Sequence, residues 1–165
     1  MGREVHEIQP VYNRESRILI LGSFPSVKSR ESMFFYGHPQ NRFWKVIAAV
    51  LEKDIPNTIE EKKRLLIENH IALWDVIASC DVEGSADSSI RDIVPNNLGI
   101  ILETANIRHI YCNGGKSYEL YTKYCEPVTG RKAVKLPSTS PANAACNLDK
   151  LIAQWKIIRE PSAFE

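Results

Sequence analysis

Arg17-Ile18-Leu19-Ile20-Leu21-Gly22 is an unbroken apolar run closed by glycine, and it passes straight into Ser23-Phe24-Pro25-Ser26. A run this short and without alternation suits a strand covered on both faces, as in a parallel sheet. The loop beyond it ends at Phe34-Phe35-Tyr36-Gly37-His38-Pro39-Gln40-Asn41-Arg42-Phe43-Trp44. From Gln40 or Asn41 to about Glu52, the residues Phe43, Val46, Ile47 and Val50 fall on one helical face. Further strands are predicted at 71–76, 107–112 and 133–136, and helices at 59–69, 96–104, 116–125 and from Asn147 to about Arg159. Residues 79–92 read as a polar, acidic loop. Strands alternating with helices imply a parallel sheet with helices on both faces.

At 165 residues the chain is expected to form one domain spanning 1–165. No apolar run approaches the ~18 residues of a membrane span. Met1-Gly2-Arg3-Glu4-Val5-His6 lacks the apolar core of a signal peptide, and His6 stands where a myristoylation signal has Ser or Thr. A cytoplasmic protein with no membrane partner is therefore expected. Cys80, Cys112, Cys125 and Cys146 are far apart and form no Cys-x-x-Cys pair, which argues for reduced, partly buried thiols over zinc or an iron–sulfur cluster. The net charge of +1 does not itself point to a polyanion, but its distribution is uneven. Segments 23–50 and 108–135 are basic and 81–92 is acidic, so one face is expected to suit nucleic acid.

In a parallel sheet of this kind ligands bind beyond the carboxyl ends of the strands. Those ends carry Ser23-Phe24-Pro25-Ser26, Asp75, Asn113-Gly114-Gly115 and Pro137-Ser138-Thr139-Ser140-Pro141, which should converge on one rim. Each has a plainer role beside a functional one. Asn41 is placed to cap the helix, and the same position faces a pocket at the positive end of a helix dipole. Phe35 and Tyr36 either cover the core or offer a ring to a flat ligand. His38, between Gly37 and Pro39, either fixes the turn or acts on a substrate. Ser138, Thr139 and Ser140 form a polar turn or a phosphate cradle, and Pro141-Ala142-Asn143 is compact enough to wedge into a duplex. The absence of a Gly-x-Gly-x-x-Gly run after the first strand counts against a nucleotide cofactor and a small-molecule enzyme that uses one.

Gly22-Ser23-Phe24-Pro25-Ser26, Tyr36 to Val46 (Tyr-Gly-His-Pro-Gln-Asn-Arg-Phe-Trp-Lys-Val) and Leu136-Pro137-Ser138-Thr139-Ser140-Pro141-Ala142 together resemble the uracil-DNA glycosylase superfamily. The likeness is greatest to its DNA-deoxyinosine (hypoxanthine-DNA) glycosylase branch, and His38 to Val46 is also similar to the mismatch-specific uracil glycosylases. The resemblance implies a three-layer α/β/α sandwich around a four-stranded parallel sheet, working without metal or cofactor. Its partner would be DNA containing deaminated bases, and it would flip out hypoxanthine, or uracil or xanthine, and hydrolyse the N-glycosidic bond. Carried over by position, Asn41 is the catalytic residue, orienting the attacking water by accepting its hydrogen bond. Ser23, Phe24, Tyr36 and His38 bind the base, with Tyr36 stacking on it. Ser26, Arg42, Ser138, Thr139, Ser140, Pro141, Ala142 and Asn143 contact DNA. One departure is instructive: many superfamily members carry Asp or Asn where this chain has Phe24, and the third motif lacks the His that some members have. Phe24 cannot orient water. That motivates the alternative of a non-catalytic lesion-binding protein on the same fold.

Overall fold

The computed structural model describes residues 2–25, 27–82 and 90–159. In chain order its strands are β1 Gly2–Val5, β2 Ile18–Gly22, β3 Ile71–Asp75, β4 Ile77–Val82, β5 Arg91–Pro95, β6 His109–Asn113 and β7 Ala133–Leu136. Its α-helices are α1 Val27–Ser32, α2 Phe43–Leu51, α3 Ile59–Glu68, α4 Gly99–Leu102, α5 Gly115–Leu120, α6 Glu126–Thr129 and α7 Leu148–Trp155. None of the described helices is long and apolar enough to cross a membrane.

The centre is a four-stranded sheet in the order β3-β2-β6-β7, with every neighbouring pair parallel. All five residues of β2 and all five of β3 are buried, because helices cover both faces. That is why neither sequence alternates. Each of these strands lies within two residues of its apolar run. The helices begin where their caps predict. Thr58 Oγ1 accepts from the Glu61 N–H at 3.0 Å while Glu61 Oε1 accepts from the Asn57 N–H, and Asn147 Oδ1 accepts from the Lys150 N–H at 2.9 Å. The stretch 116–125 is α-helical only to Leu120 and continues as a π-helical turn over Tyr121–Cys125. The expected helix at 96–104 shrinks to Gly99–Leu102, with Ile101 as its buried anchor.

The expectation of a loop at 79–92 is corrected. β1, β4 and β5 form a separate antiparallel sheet in the order β1-β4-β5, while residues 83–89 of that stretch lie outside the described residues. Arg91, Asp92 and Val94 of β5 are exposed, so the strand carries no apolar alternation to betray it. Arg3 on β1 instead donates to Ser79 Oγ at 2.8 Å and pairs with Asp81 on β4 at 3.5 Å. Pairing continues past β1, with the His6 N–H donating to the Ala78 carbonyl at 2.6 Å. The polypeptide's first strand is thereby carried to the end of β3.

The four cysteines are buried and unpaired. Burial pushes the Cys112 thiol up to about 12 and Cys125 up to about 11 from an ordinary 9.0, and raises Cys80 as well. The unfolded chain loses these protons near pH 9, whereas the folded chain keeps them, so their contribution is complete below pH 9 and declines as pH rises toward 12. The urea midpoint is accordingly expected to fall steadily between pH 8.5 and about 11. A midpoint that rises over that range would contradict the sign.

Candidate active site

β2 and β3 end in register at Gly22 and Asp75, and β6 and β7 end in register at Asn113 and Leu136. Beyond these ends lies a cleft of about 480 Å³, walled by the Gly22–Pro25 turn, the Tyr36–Asn41 loop and the Ser138–Ala142 loop. Among the described residues that line it, Lys116 is the one lysine or arginine.

Asn41 stands at the mouth of this cleft, and its amide orientation is fixed. The N-cap of α2 is Arg42 and not Asn41 as expected; from one residue earlier, Asn41 Oδ1 accepts from the Phe43 N–H at 2.9 Å and from the Thr139 hydroxyl at 2.8 Å. The wholly buried Thr139 is held in turn by Asn113, whose Nδ2 donates to Thr139 Oγ1 and whose Oδ1 accepts from the Thr139 N–H, both at 3.0 Å. A carbonyl oxygen has two lone pairs, and both on Asn41 are used. Flipping the amide would set an NH2 group against the Phe43 N–H. Accepting from a water, the role expected of Asn41, would require one of these two bonds to be given up, whereas Nδ2 can donate to a ligand in the cleft that the residue lines.

Two expected DNA contacts are spent inside the protein. The Arg42 side chain donates to the carbonyls of Thr139, Ser140, Asn143 and Cys146, using four of its five N–H bonds, while its backbone N–H donates to the Thr139 carbonyl. It clamps the loop instead of reaching out from it. The Thr139 hydroxyl, lodged between Asn113 and Asn41, is likewise an internal tie. Ser138 Oγ and Ser140 Oγ accept from the N–H groups of Ser140 and Ala142, leaving their O–H bonds to donate outward. Asn143 Nδ2 donates to the Ser138 carbonyl, and Pro141 and Ala142 are exposed at the tip.

On the opposite wall, Tyr36 takes a left-handed φ of 53° and stacks on Phe43 with ring centroids 4.1 Å apart. One face is thus covered by protein. Its hydroxyl points to the cleft floor, and burial followed by the nearby Asp75 charge pushes its pKa far above the ordinary 10, so it is neutral and protonated. A hydrogen bond with the Asn113 side chain, whose Nδ2 has a second N–H beyond the one donated to Thr139, offsets part of this. Phe24 is half-buried, edge-on to His6 and under the Arg30 guanidinium, and Ser23 uses its carbonyl to receive the Ile77 N–H. His38 Nδ1 accepts from the Gln40 N–H at 3.1 Å, the turn-fixing role, with the ring still lining the cleft. Ser26 lies outside the described residues.

The cleft also holds a pair of which the sequence placed one member, Asp75, on the rim and missed the other, His6. Asp75, 3% exposed, lines the cleft, and its Oδ2 accepts from His6 Nε2 at 2.8 Å. The signal for Asp75 was present, a carboxylate closing the wholly apolar Ile71-Ala72-Leu73-Trp74. His6 carried none, because it arrives on a strand that the sequence did not reveal.

Comparison with known proteins agrees with this arrangement. The family model for the uracil DNA glycosylase superfamily matches residues 9–160. A protein from Methanosarcina barkeri named hypoxanthine DNA glycosylase is 36% identical over 140 residues, covering 81% of this chain and 85% of its own. A second of that name, from Methanosarcina acetivorans, is 34% identical over 149 residues, covering 90% and 93%. The fold matches the solution NMR structure of a candidate uracil DNA glycosylase from Methanosarcina acetivorans with a TM-score of 0.76, at 31% identity and over 93% and 97% of the two chains. With motif, topology and cleft in agreement over nearly its whole length, the chain belongs to the uracil-DNA glycosylase superfamily.

Proposed function

We propose that the protein is a monofunctional DNA glycosylase that removes hypoxanthine, the deaminated form of adenine, from DNA and leaves an abasic site. It acts as a single-domain monomer in the cytoplasm and needs no cofactor. The observation that carries this reading is the Asn41 amide, whose oxygen is held by Phe43 and Thr139 while the residue lines a cleft of about 480 Å³ at the strand ends. Its relatives named hypoxanthine DNA glycosylase supply the base.

The target atom is hidden in a stacked duplex, so the nucleotide is extruded at a cost of a few kcal/mol, least for a poorly paired base. The exposed Pro141-Ala142 tip fills the gap, and the Ser138 and Ser140 hydroxyls donate to phosphate. As the N-glycosidic bond breaks, the sugar becomes oxocarbenium-like and needs a well-placed water more than a strong base. Asn41 Nδ2–H holds that water through one lone pair and leaves the other facing C1′. The water's hydroxyl joins the sugar and its proton ends on the released base.

Incubation with duplexes carrying deoxyinosine, deoxyuridine or deoxyxanthosine, followed by alkali, tests this. Strand breaks at deoxyinosine in excess of the others are expected. A gel shift on the same duplexes without breaks would instead establish the lesion-binding alternative.

A further inference from the structure

We infer that Lys116 supplies the positive charge that holds a backbone phosphate of the extruded nucleotide, beside the Ser138 and Ser140 hydroxyls. The inference rests on the glycosylase reading and assigns the residue that secures the nucleotide in the cleft, before and after the base has left.

The need follows from charge. A nucleotide drawn into the cleft brings a phosphate on each side of its sugar, and the Asp75 carboxylate is already there. Serine hydroxyls orient a phosphate without neutralising it. Arg42, expected to contact DNA, spends its guanidinium on the carbonyls of Thr139, Ser140, Asn143 and Cys146. Lys116 is left as the one lysine or arginine among the described residues that line the cleft.

Local structure carries Lys116 to that wall. Gly114 takes a positive φ of 98°, and a Cβ there would lie 3.0 Å from Ser138 Cβ. The turn after β6 therefore packs directly on the serine loop. Ser117, wholly buried, donates to the Leu21 carbonyl at 2.7 Å and pins the first turn of α5 to β2. Between these two anchors, Lys116 lines the cleft with a side chain 30% exposed. Its ion pair with Glu119 is 3.9 Å long and the Glu119 side chain is 70% exposed, so the pair contributes little and is readily given up. An ammonium on a flexible stem, with three rotatable donors, can follow a phosphate as the nucleotide enters.

A phosphate keeps its charge while the glycosidic bond breaks. Its contact with Lys116 therefore holds substrate, transition state and abasic product alike, which raises affinity and leaves the maximal rate alone. An undamaged duplex keeps its nucleotides stacked and brings no phosphate into the cleft.

The test follows hypoxanthine release under single turnover at rising enzyme concentration, and binding to abasic and to undamaged duplexes. Lys116→Met keeps the stem and removes the charge. It should raise the half-saturating concentration about tenfold and weaken abasic-duplex binding about tenfold, with undamaged duplex changed less than about twofold. The slope of log affinity against log salt on the abasic duplex should shrink by about 0.9. Lys116→Arg should stay within about threefold of wild type. A methylphosphonate at one of the phosphates flanking deoxyinosine should cost wild type about tenfold and Lys116→Met little more, because both changes remove the same contact. Unchanged affinity in Lys116→Met, additive losses at both phosphates, or a loss confined to the maximal rate would each overturn the inference. Equal weakening on undamaged duplex would do so too, since it marks a charge on the outer surface. If wild type releases no hypoxanthine the functional reading fails instead, and the same comparison is then read from binding to the deoxyinosine duplex.

Discussion

Asn41→Asp is expected to lower single-turnover hypoxanthine release by about a thousandfold, as much as Asn41→Ala does. The change is nearly isosteric, and Oδ1 can still accept from Phe43 and Thr139, so the turn leading into α2 is kept. What changes is the atom at the cleft. An NH2 donor becomes a carboxylate oxygen, which cannot donate to the water and places a second negative charge in a cleft that already holds Asp75. Had Asn41 oriented the water by accepting from it, Asp would serve as well or better. A variant as fast as wild type, with an unaltered melting curve, would therefore reject the donor role and restore the acceptor one.

Arg42→Ala should have the second largest effect, and stability should register it first. The guanidinium joins the start of α2 to four carbonyls between Thr139 and Cys146, in a half-buried setting. Charge-assisted bonds of this type contribute roughly 1.5–3 kcal/mol each at best and are not additive, so a net loss of about 2–4 kcal/mol is expected from urea denaturation. Release of hypoxanthine should fall about a hundredfold even at temperatures where the variant is folded, since the loop carrying Thr139 also aims Asn41. Lys at this position has one cationic centre and cannot span four acceptors, so Arg42→Lys should recover little. A folded Arg42→Ala protein with full activity and a wild-type urea midpoint would show that the clamp is dispensable.

The parallel sheet was legible because its strands are continuous apolar runs such as Ile18 to Leu21, and because Thr58 and Asn147 mark helix starts chemically. The wall from Tyr36 to Asn41 and the loop from Ser138 to Asn143 were legible for a similar reason: local residue types specify local conformation. The second sheet was not. Its strands are short, charged and half-exposed, and β1 meets β4 only through pairing such as Val5 with Ser79, a register that no local signal encodes. The same blindness hid His6, and with it the partner of Asp75. Arg42 and Thr139 illustrate a subtler gap. A basic side chain and a hydroxyl near a DNA-binding rim fit phosphate contact by type, and only coordinates show that their bonds are already taken.

β1 ends one residue before His6 and has consequences for how the protein is produced. A message translated from a start codon a few positions downstream, or a preparation nicked near its amino terminus, would keep every residue of the parallel sheet and of both loops that wall the cleft. Its product would lack His6, whose Nε2 lies 2.8 Å from Asp75 Oδ2. It would pass a motif search, yet leave the Asp75 carboxylate, 3% exposed, without that partner.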